Sequence, residues 1–238
     1  MPKMKAAVFI KPGHIVLDEK PIPDIGPLDA LVRITTTTIC GTDIHILKGE
    51  YPVAQGLTIG HEPVGVIEKL GSSITGFHEG QRVIAGAITP SGHSSACLCG
   101  CLSQDGPDEK HGFKAIGGWK FGNTIDGCQA EFVRVPDAMA NLAPVPDGLT
   151  DEQVLMCPDI MSTGFSGAER GGVTIGDTVA ILLRDRLVSA RRSARSCAAR
   201  RRLSRSTGSR SGWRCRSVSG PIIASILKTS IRPPKSCA

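Results

Sequence analysis

Short apolar runs separated by turn-forming residues dominate residues 1–146. The runs are rich in β-branched side chains, which pack well on a pleated surface, and they occupy residues 6–10, 30–39, 63–70, 82–88 and 129–135. Pro12-Gly13 and Gly26-Pro27 are typical of the turns between them. Short strands at fairly regular spacing predict a compact β-rich barrel or sandwich.

A helical pattern first appears near Thr150. Thr150 can cap the helix N-terminus, Gln153 can complete a capping box, and an apolar stretch follows. Residues 178–182 are apolar and β-branched, which is typical of a buried strand. The pattern predicts a domain over residues 1–149 and a linking helix with a first α/β strand over residues 150–181.

Charge divides the chain near residue 181. Residues 1–181 carry 13 Lys and Arg against 21 Asp and Glu, a net charge of −8. Residues 182–238 carry 15 Lys and Arg, 13 of them Arg, against one acid, a net charge of +14. We therefore interpret residues 182–238 separately, as an Arg/Ser-rich tail.

Overall composition indicates a globular protein. The chain has 238 residues, of which 40% are apolar and 21% are charged, and this allows one or two domains. No run of 18 apolar residues exists, so a membrane-spanning helix is not expected. The nine cysteines are odd in number and follow no secretory leader, which favours a reducing, cytoplasmic location.

Three short segments offer metal-binding side chains: residues 40–45 (CGTDIH), 60–62 (GHE) and 157–159 (CPD). A catalytic zinc site needs about three protein ligands and an open fourth position, and Cys40, His61 and Asp159 are suitable donors. The residues alone leave another interpretation open. Cys40 can be a small buried apolar residue, His61 a hydrogen-bonded core imidazole, and Asp159 a helix cap.

The body of the chain resembles the zinc-dependent alcohol dehydrogenases of the medium-chain dehydrogenase/reductase superfamily. The matching stretches are residues 39–45 (ICGTDIH), 60–71 (GHEPVGVIEKLG), 80–84 (GQRVI), 117–127 (GGWKFGNTIDG) and 156–169 (MCPDIMSTGFSGAE). The last two are most similar to the secondary alcohol dehydrogenases. The resemblance covers about residues 3–181.

This resemblance implies a fold and a set of site residues. The fold is a GroES-like barrel, followed by a short helical segment and the stub of an α/β Rossmann domain. The implied zinc ligands are Cys40, His61 and Asp159, with Glu62 as an alternative or outer ligand. Thr42 is implied to hydrogen-bond the oxygen of a small alcohol or carbonyl substrate, and His45 to lead its proton outward.

A second, structural zinc is doubtful in this chain. Many relatives hold it with four cysteines, and the corresponding positions are Ser91, Ser94, Cys97 and Asp105. Serine hydroxyls do not replace thiolates at zinc. A substitute site could use Cys97, Cys99 and Cys101 with His93 or His111, but a loop of reduced cysteines is the favoured interpretation.

The expected NAD(P) site is absent from this sequence. Relatives bind the dinucleotide at a glycine-rich turn after the first strand of the Rossmann domain. The same domain is where such enzymes usually form homo-oligomer contacts. No Gly-x-Gly-x-x-Gly follows Ile181. We therefore expect a chain truncated in its Rossmann domain and inactive by itself, since zinc cannot accept a hydride.

Three explanations for residues 182–238 stay open. A shifted reading frame would account for a change of composition where the family pattern stops. A genuine basic tail would bind nucleic acid or other polyanions, at least non-specifically. The third explanation is a helix over residues 191–203, but this segment lacks an apolar stripe to bury. Disorder is expected with either of the first two explanations.

Overall fold

A computed structural model describes residues 2–106, 113–177, 179–180 and 227–228. The chain divides into two compact units, residues 1–159 and 160–238. The strands of the first unit are β1 (Lys3–Lys11), β2 (His14–Pro21), β3 (Ala30–Thr36), β4 (Val64–Leu70), β5 (Arg82–Ala85), β6 (Phe132–Val135) and β7 (Leu142–Pro144). Its helices are α1 (Gly41–Leu47), α2 (Ser95–Leu98), α3 (Ala138–Asn141) and α4 (Asp151–Val154), with a 3₁₀ turn at Leu102–Gln104.

The strands close around one interior. Five of them form an antiparallel sheet in the order β6-β3-β4-β5-β7. β1 and β2 form a hairpin in which Val8 lies opposite Val16. The amide of Ala7 in β1 also donates to the Gln129 carbonyl at 2.8 Å, and Val8 bridges to Thr58. The hairpin is thereby attached to the sheet, which gives a β-barrel.

Two apolar clusters fill the barrel and fix α1. The larger cluster is built on Val32, Ile67, Val83, Phe121 and Val133, all of them nearly inaccessible to solvent. The smaller one joins Phe9 of β1, Ile46 of α1 and Ile59. Removing this apolar surface from water is the main force that holds the strands and α1 together.

The second unit begins within a π-helical turn at Cys157–Met161, which continues into α5 (Ser162–Arg170). Further along, β8 (Val179–Ala180) pairs antiparallel with β9 (Leu227–Lys228). The predictions of a reading-frame change, disorder and polyanion binding in the basic tail concern residues that lie almost wholly outside the described ones. None of the helices in the described ranges combines the length and apolarity needed to cross a membrane.

The expected β-rich barrel with a short helical segment is confirmed. The predicted cap is also confirmed, since the Gln153 amide donates to Thr150 Oγ1 at 3.4 Å and the Thr150 amide donates to Gln153 Oε1 at 2.9 Å. The prediction that helix first appears near Thr150 is wrong, because α1 precedes it by more than a hundred residues. A capping box between Cys40 and Asp43 stabilises α1 although its sequence is a weak helix former.

Candidate metal centre

Four side chains from three separate segments meet at one end of the barrel. The ligand atoms of Cys40, His61, Glu62 and Asp159 all lie within 4.8 Å of one another. Cys40 stands between β3 and α1, His61 and Glu62 lie just before β4 with Pro63 between, and Asp159 lies in the π-helical turn. The structure thus brings together the residues that the sequence suggested as metal ligands.

The backbone of Cys40 is held by a buried carboxylate. Cys40 is the N-cap of α1, and its amide donates to Asp43 Oδ2 at 2.8 Å. Gln129 Nε2 donates to the same oxygen at 3.0 Å. Burial raises the pKa of Asp43, and these hydrogen bonds oppose the shift. Sequence reasoning gave Asp43 no role, although its capping-box spacing from Cys40 was a usable signal.

The backbone around His61 is packed too tightly to move freely. Gly60 has φ +95°, and a Cβ there would lie 2.8 Å from the Gln129 amide nitrogen. A Cβ on Gly127 would lie 2.1 Å from the Gly60 carbonyl oxygen. The Gly127 amide donates to the Thr58 carbonyl at 2.8 Å. The backbone segments at Gly60 and Gly127 therefore pack directly against each other, and His61 extends from this tightly packed backbone.

Asp159 lies against both the imidazole and the thiol. Its Oδ2 is 3.6 Å from His61 Nε2 and 3.9 Å from Cys40 Sγ. Glu62 Oε1 is 4.0 Å from the same imidazole nitrogen. Burial raises the pKa of Glu62 to about 7, and the nearby charge of Asp159 adds to the increase. Asp159 thus makes the close contacts, and Glu62 stands slightly further out in the same group.

A cation fits this donor set. Burial alone would lower the pKa of His61, but hydrogen bonds to Asp159 and Cys40 outweigh it and raise that pKa to about 10. Within the described residues, His61 Nδ1 and Glu62 Oε1 are buried without a hydrogen-bond partner. A buried polar atom without a hydrogen-bond partner lowers the stability of the fold, and two carboxylates beside a thiol repel one another once they are ionised. Sulfur, imidazole nitrogen and carboxylate oxygen together are a donor set suited to zinc.

The two residues suggested for proton transfer lie beside this group. Cys40 Sγ is 3.6 Å from Thr42 Oγ1. His45 is three residues further along α1, so it shares a face with Thr42. Its Nδ1 is paired with Glu50, and its side chain is 44% exposed. The structure therefore places Thr42 next to the candidate metal ligand Cys40 and His45 towards solvent.

A chain of edge-on ring contacts through Tyr51 and Trp119 connects His45 with His61. The ring of Tyr51 meets His45 edge-on at a centroid distance of 5.7 Å and meets Trp119 at 5.6 Å. Trp119 in turn meets His61 at 6.3 Å. Sequence reasoning gave Tyr51 and Trp119 no role. Nothing in the local pattern showed that the two segments carrying them meet.

The four positions corresponding to the structural zinc ligands form a hydrogen-bonded cluster. Ser91 Oγ donates to Asp105 Oδ1 at 3.0 Å, and Cys97 Sγ donates to the same oxygen at 3.4 Å. Lys120 Nζ lies 3.6 Å from Asp105 Oδ2. Burial opposes ionisation of Asp105, but hydrogen bonds, led by the one from Ser94, lower its pKa to about 2.

The substitute metal site suggested for the cysteine loop does not form among the described residues. Cys97, Cys99, Cys101 and His93 do not converge there as the group around Cys40 does. His111, the other suggested ligand, lies outside the described residues.

Asp105→Asn is expected to destabilise the chain by about 2 kcal/mol at pH 7, because a pKa of about 2 replaces the ordinary value of 3.8. A lowered carboxyl pKa stabilises the fold above pH 4, and this contribution disappears as pH falls towards 2. The difference between variant and wild type should therefore shrink with acid in urea unfolding. Asp147→Asn, at an exposed carboxylate, is the control. A pH-independent difference would contradict the assignment.

The chain is similar in sequence to known proteins. Residues 26–147 match the family described as alcohol dehydrogenase GroES-like domain. An alcohol dehydrogenase of Cupriavidus necator is 67% identical over 82% of this chain and 56% of its own. The NADP-dependent isopropanol dehydrogenase of Thermoanaerobacter brockii is 37% identical over 75% of this chain and 49% of its own.

A solved structure shows the same fold. The zinc-dependent alcohol dehydrogenase 2 from Streptococcus pneumonia, in its apo form, superimposes with a TM-score of 0.72 at 35% identity. The match covers 82% of this chain and 53% of that one. The chain thus spans about half the length of the relatives it matches. By its GroES-like domain and these similarities, the chain belongs to the zinc-type alcohol dehydrogenases of the medium-chain dehydrogenase/reductase superfamily.

Proposed function

We propose that Cys40, His61 and Asp159 bind one zinc ion, with Glu62 as an alternative or outer ligand. The observation that carries the proposal is the convergence of their donor atoms within 4.8 Å. The reaction served by this site is the oxidation of a small alcohol to an aldehyde or ketone, or its reverse, with NAD(P). The isopropanol dehydrogenase activity named for one relative supports a small secondary alcohol as substrate.

The residues around the site have distinct tasks in this proposal. Zinc, when bound, supplies a Lewis acid that polarises the substrate oxygen. The Thr42 hydroxyl accepts the alcohol proton and passes it along the α1 face to His45. Glu50 pairs with His45 Nδ1 and so orients the ring, leaving Nε2 to receive the proton. His45 is partly exposed, so the proton leaves to solvent there.

The second part of the proposal concerns NAD(P), which accepts the hydride in this reaction. Relatives bind the dinucleotide at a glycine-rich turn, and no Gly-x-Gly-x-x-Gly follows Ile181 in this sequence. We therefore propose that the 238-residue chain binds zinc but does not turn over alcohol by itself. A cytoplasmic location belongs to the same proposal, since the cysteines of the described residues are free thiols.

Metal content and turnover of the purified chain test the proposal. After expression with zinc and extensive dialysis, we expect about one zinc per chain by atomic spectroscopy and no oxidation of isopropanol with NADP. A chain without zinc would contradict the metal site, and turnover would contradict the lack of activity.

The alternative is a non-catalytic zinc-binding fragment whose basic tail binds nucleic acid. Its support is the charge of residues 182–238, which carry 15 Lys and Arg against one acid. Salt-resistant preference for one nucleic-acid sequence would favour it, whereas salt-sensitive binding of any polyanion would not.

A further inference from the structure

One carboxylate in α4 is engaged on both oxygens. Arg82 donates to Asp151 Oδ1 from Nη2 at 2.5 Å and from Nε at 3.2 Å. Thr35 Oγ1 donates to Asp151 Oδ2 at 2.5 Å. The hydrogen bonds from Thr35 and Arg82 lower the pKa of Asp151, so the group is ionised at neutral pH. Asp151 therefore attaches the start of α4 to β3 and β5.

These contacts link every chain segment that carries a donor of the proposed zinc site. Thr35 lies in β3, five residues before Cys40, and its Oγ1 is also 3.3 Å from the Val64 carbonyl. Val64 begins β4, directly after the segment with His61 and Glu62. Asp151 is itself eight residues before Asp159 along the chain.

The segment between Asp151 and Asp159 is held at both ends. At its start, Arg82 Nη2 also donates to the Leu149 carbonyl at 2.9 Å. At its end, the Ala87 amide donates to the Pro158 carbonyl at 3.0 Å. Without the Asp151 contacts, the start of the segment would depend on the Arg82 contact with the Leu149 carbonyl and would shift more readily against β3, while the Ala87 hydrogen bond would still hold the Pro158 end.

We infer that Asp151 is a positioning residue for the metal centre, which fixes the separation of Asp159 from the Cys40 and His61 donors. The inference rests on the proposed function, because it assumes that these donors bind zinc. A partly exposed ion pair adds little to global stability, so the effect of Asp151 should appear in metal binding rather than in unfolding.

Asp151→Asn in the full chain tests this assignment. The variant keeps the size of the side chain but loses its charge. We expect zinc affinity, measured by competition with a chromophoric chelator, to fall about 10- to 100-fold, as is typical when a group that orients a metal ligand is lost. The visible absorption of the Co²⁺-substituted chain should also shift, since the ligand geometry changes.

Asp29→Asn is the matched control. Asp29 is also partly buried, lies 3.5 Å from a strand arginine, Arg134, and accepts a hydrogen bond from the Gly26 amide at 3.0 Å. We expect this variant to keep wild-type zinc affinity and the wild-type Co²⁺ spectrum. If Asp151→Asn does not fold, Thr35→Val removes one of the contacts more gently and should lower zinc affinity in the same direction.

The outcomes separate the two claims. A wild-type chain that binds no metal overturns the proposed function and this inference with it. A wild-type chain that binds zinc, with Asp151→Asn or Thr35→Val unchanged in affinity and spectrum, overturns the inference alone. Equal losses in Asp151→Asn and Asp29→Asn would indicate general destabilisation and also overturn it.

Discussion

Replacing Cys40 with serine is expected to remove zinc from the chain. A thiolate is the strongest zinc donor of the group, and a serine hydroxyl at neutral pH is neither charged nor soft. The three remaining groups would hold zinc more than about 100-fold less tightly, a larger loss than is usual for an outer residue. Atomic spectroscopy of the dialysed protein should show zinc content falling from about one per chain to near zero.

Cys99→Ser provides the control for this change. Cys99 is exposed and stands outside the cluster of Cys40, His61, Glu62 and Asp159. The same substitution there should leave zinc content unaltered. Retention of zinc in Cys40→Ser would show that the thiol is not a ligand, and loss in both variants would point to a different origin of the bound metal.

Phe121→Ala is expected to destabilise the barrel by about 3–5 kcal/mol, the usual cost of deleting a buried ring. Phe121 is fully inaccessible to solvent and packs in the cluster that contains Val32, Ile67 and Val133. The lost contacts and the resulting cavity both contribute to the cost. Urea unfolding followed by fluorescence or circular dichroism would measure it, provided that enough folded variant is recovered.

Phe113→Ala tests whether burial is responsible. Phe113 is 40% exposed, so the same change there should cost less than about 1 kcal/mol. Comparable losses at the two positions would contradict the assignment of Phe121 to the barrel core. If Phe121→Ala is insoluble, Phe121→Leu retains most of the apolar volume and should give a smaller but measurable loss.

The strands predicted from the sequence were those with buried, β-branched runs. β2 was missed because most of its residues are exposed and half of its sequence, HIVLDEKP, is polar or charged. The hydrogen bonds to β1 hold β2 in a strand conformation that its own sequence pattern does not predict. β7 was missed because it has only three residues. The observed β3 and β5 are shorter than predicted, since β-branched or apolar residues continue after the ladder pairing ends.

The donors of the candidate site were suggested from the sequence, but their supports were not. Cys40, His61 and Asp159 stand in short motifs that bear chemically distinctive side chains. In the sequence, Asp151 is an ordinary helix-start carboxylate, and Asp43 stands in a segment for which no helix was predicted. Their roles depend on partners that are distant along the chain, such as Gln129 for Asp43 and Arg82 for Asp151.

The close contact between Gly60 and Gly127 determines what would have to be moved in a protein-engineering experiment. A designer who grafts only the residues around His61 onto another barrel would lose the surface against which that backbone is pressed. The segment at Gly127 and Gln129 must be transplanted with it, since its hydrogen bonds and lack of a Cβ shape the His61 turn. The smallest unit that can be transferred to another protein is therefore the pair of backbone segments around His61 and Gly127. Cys40 and Asp159 are then added to this pair.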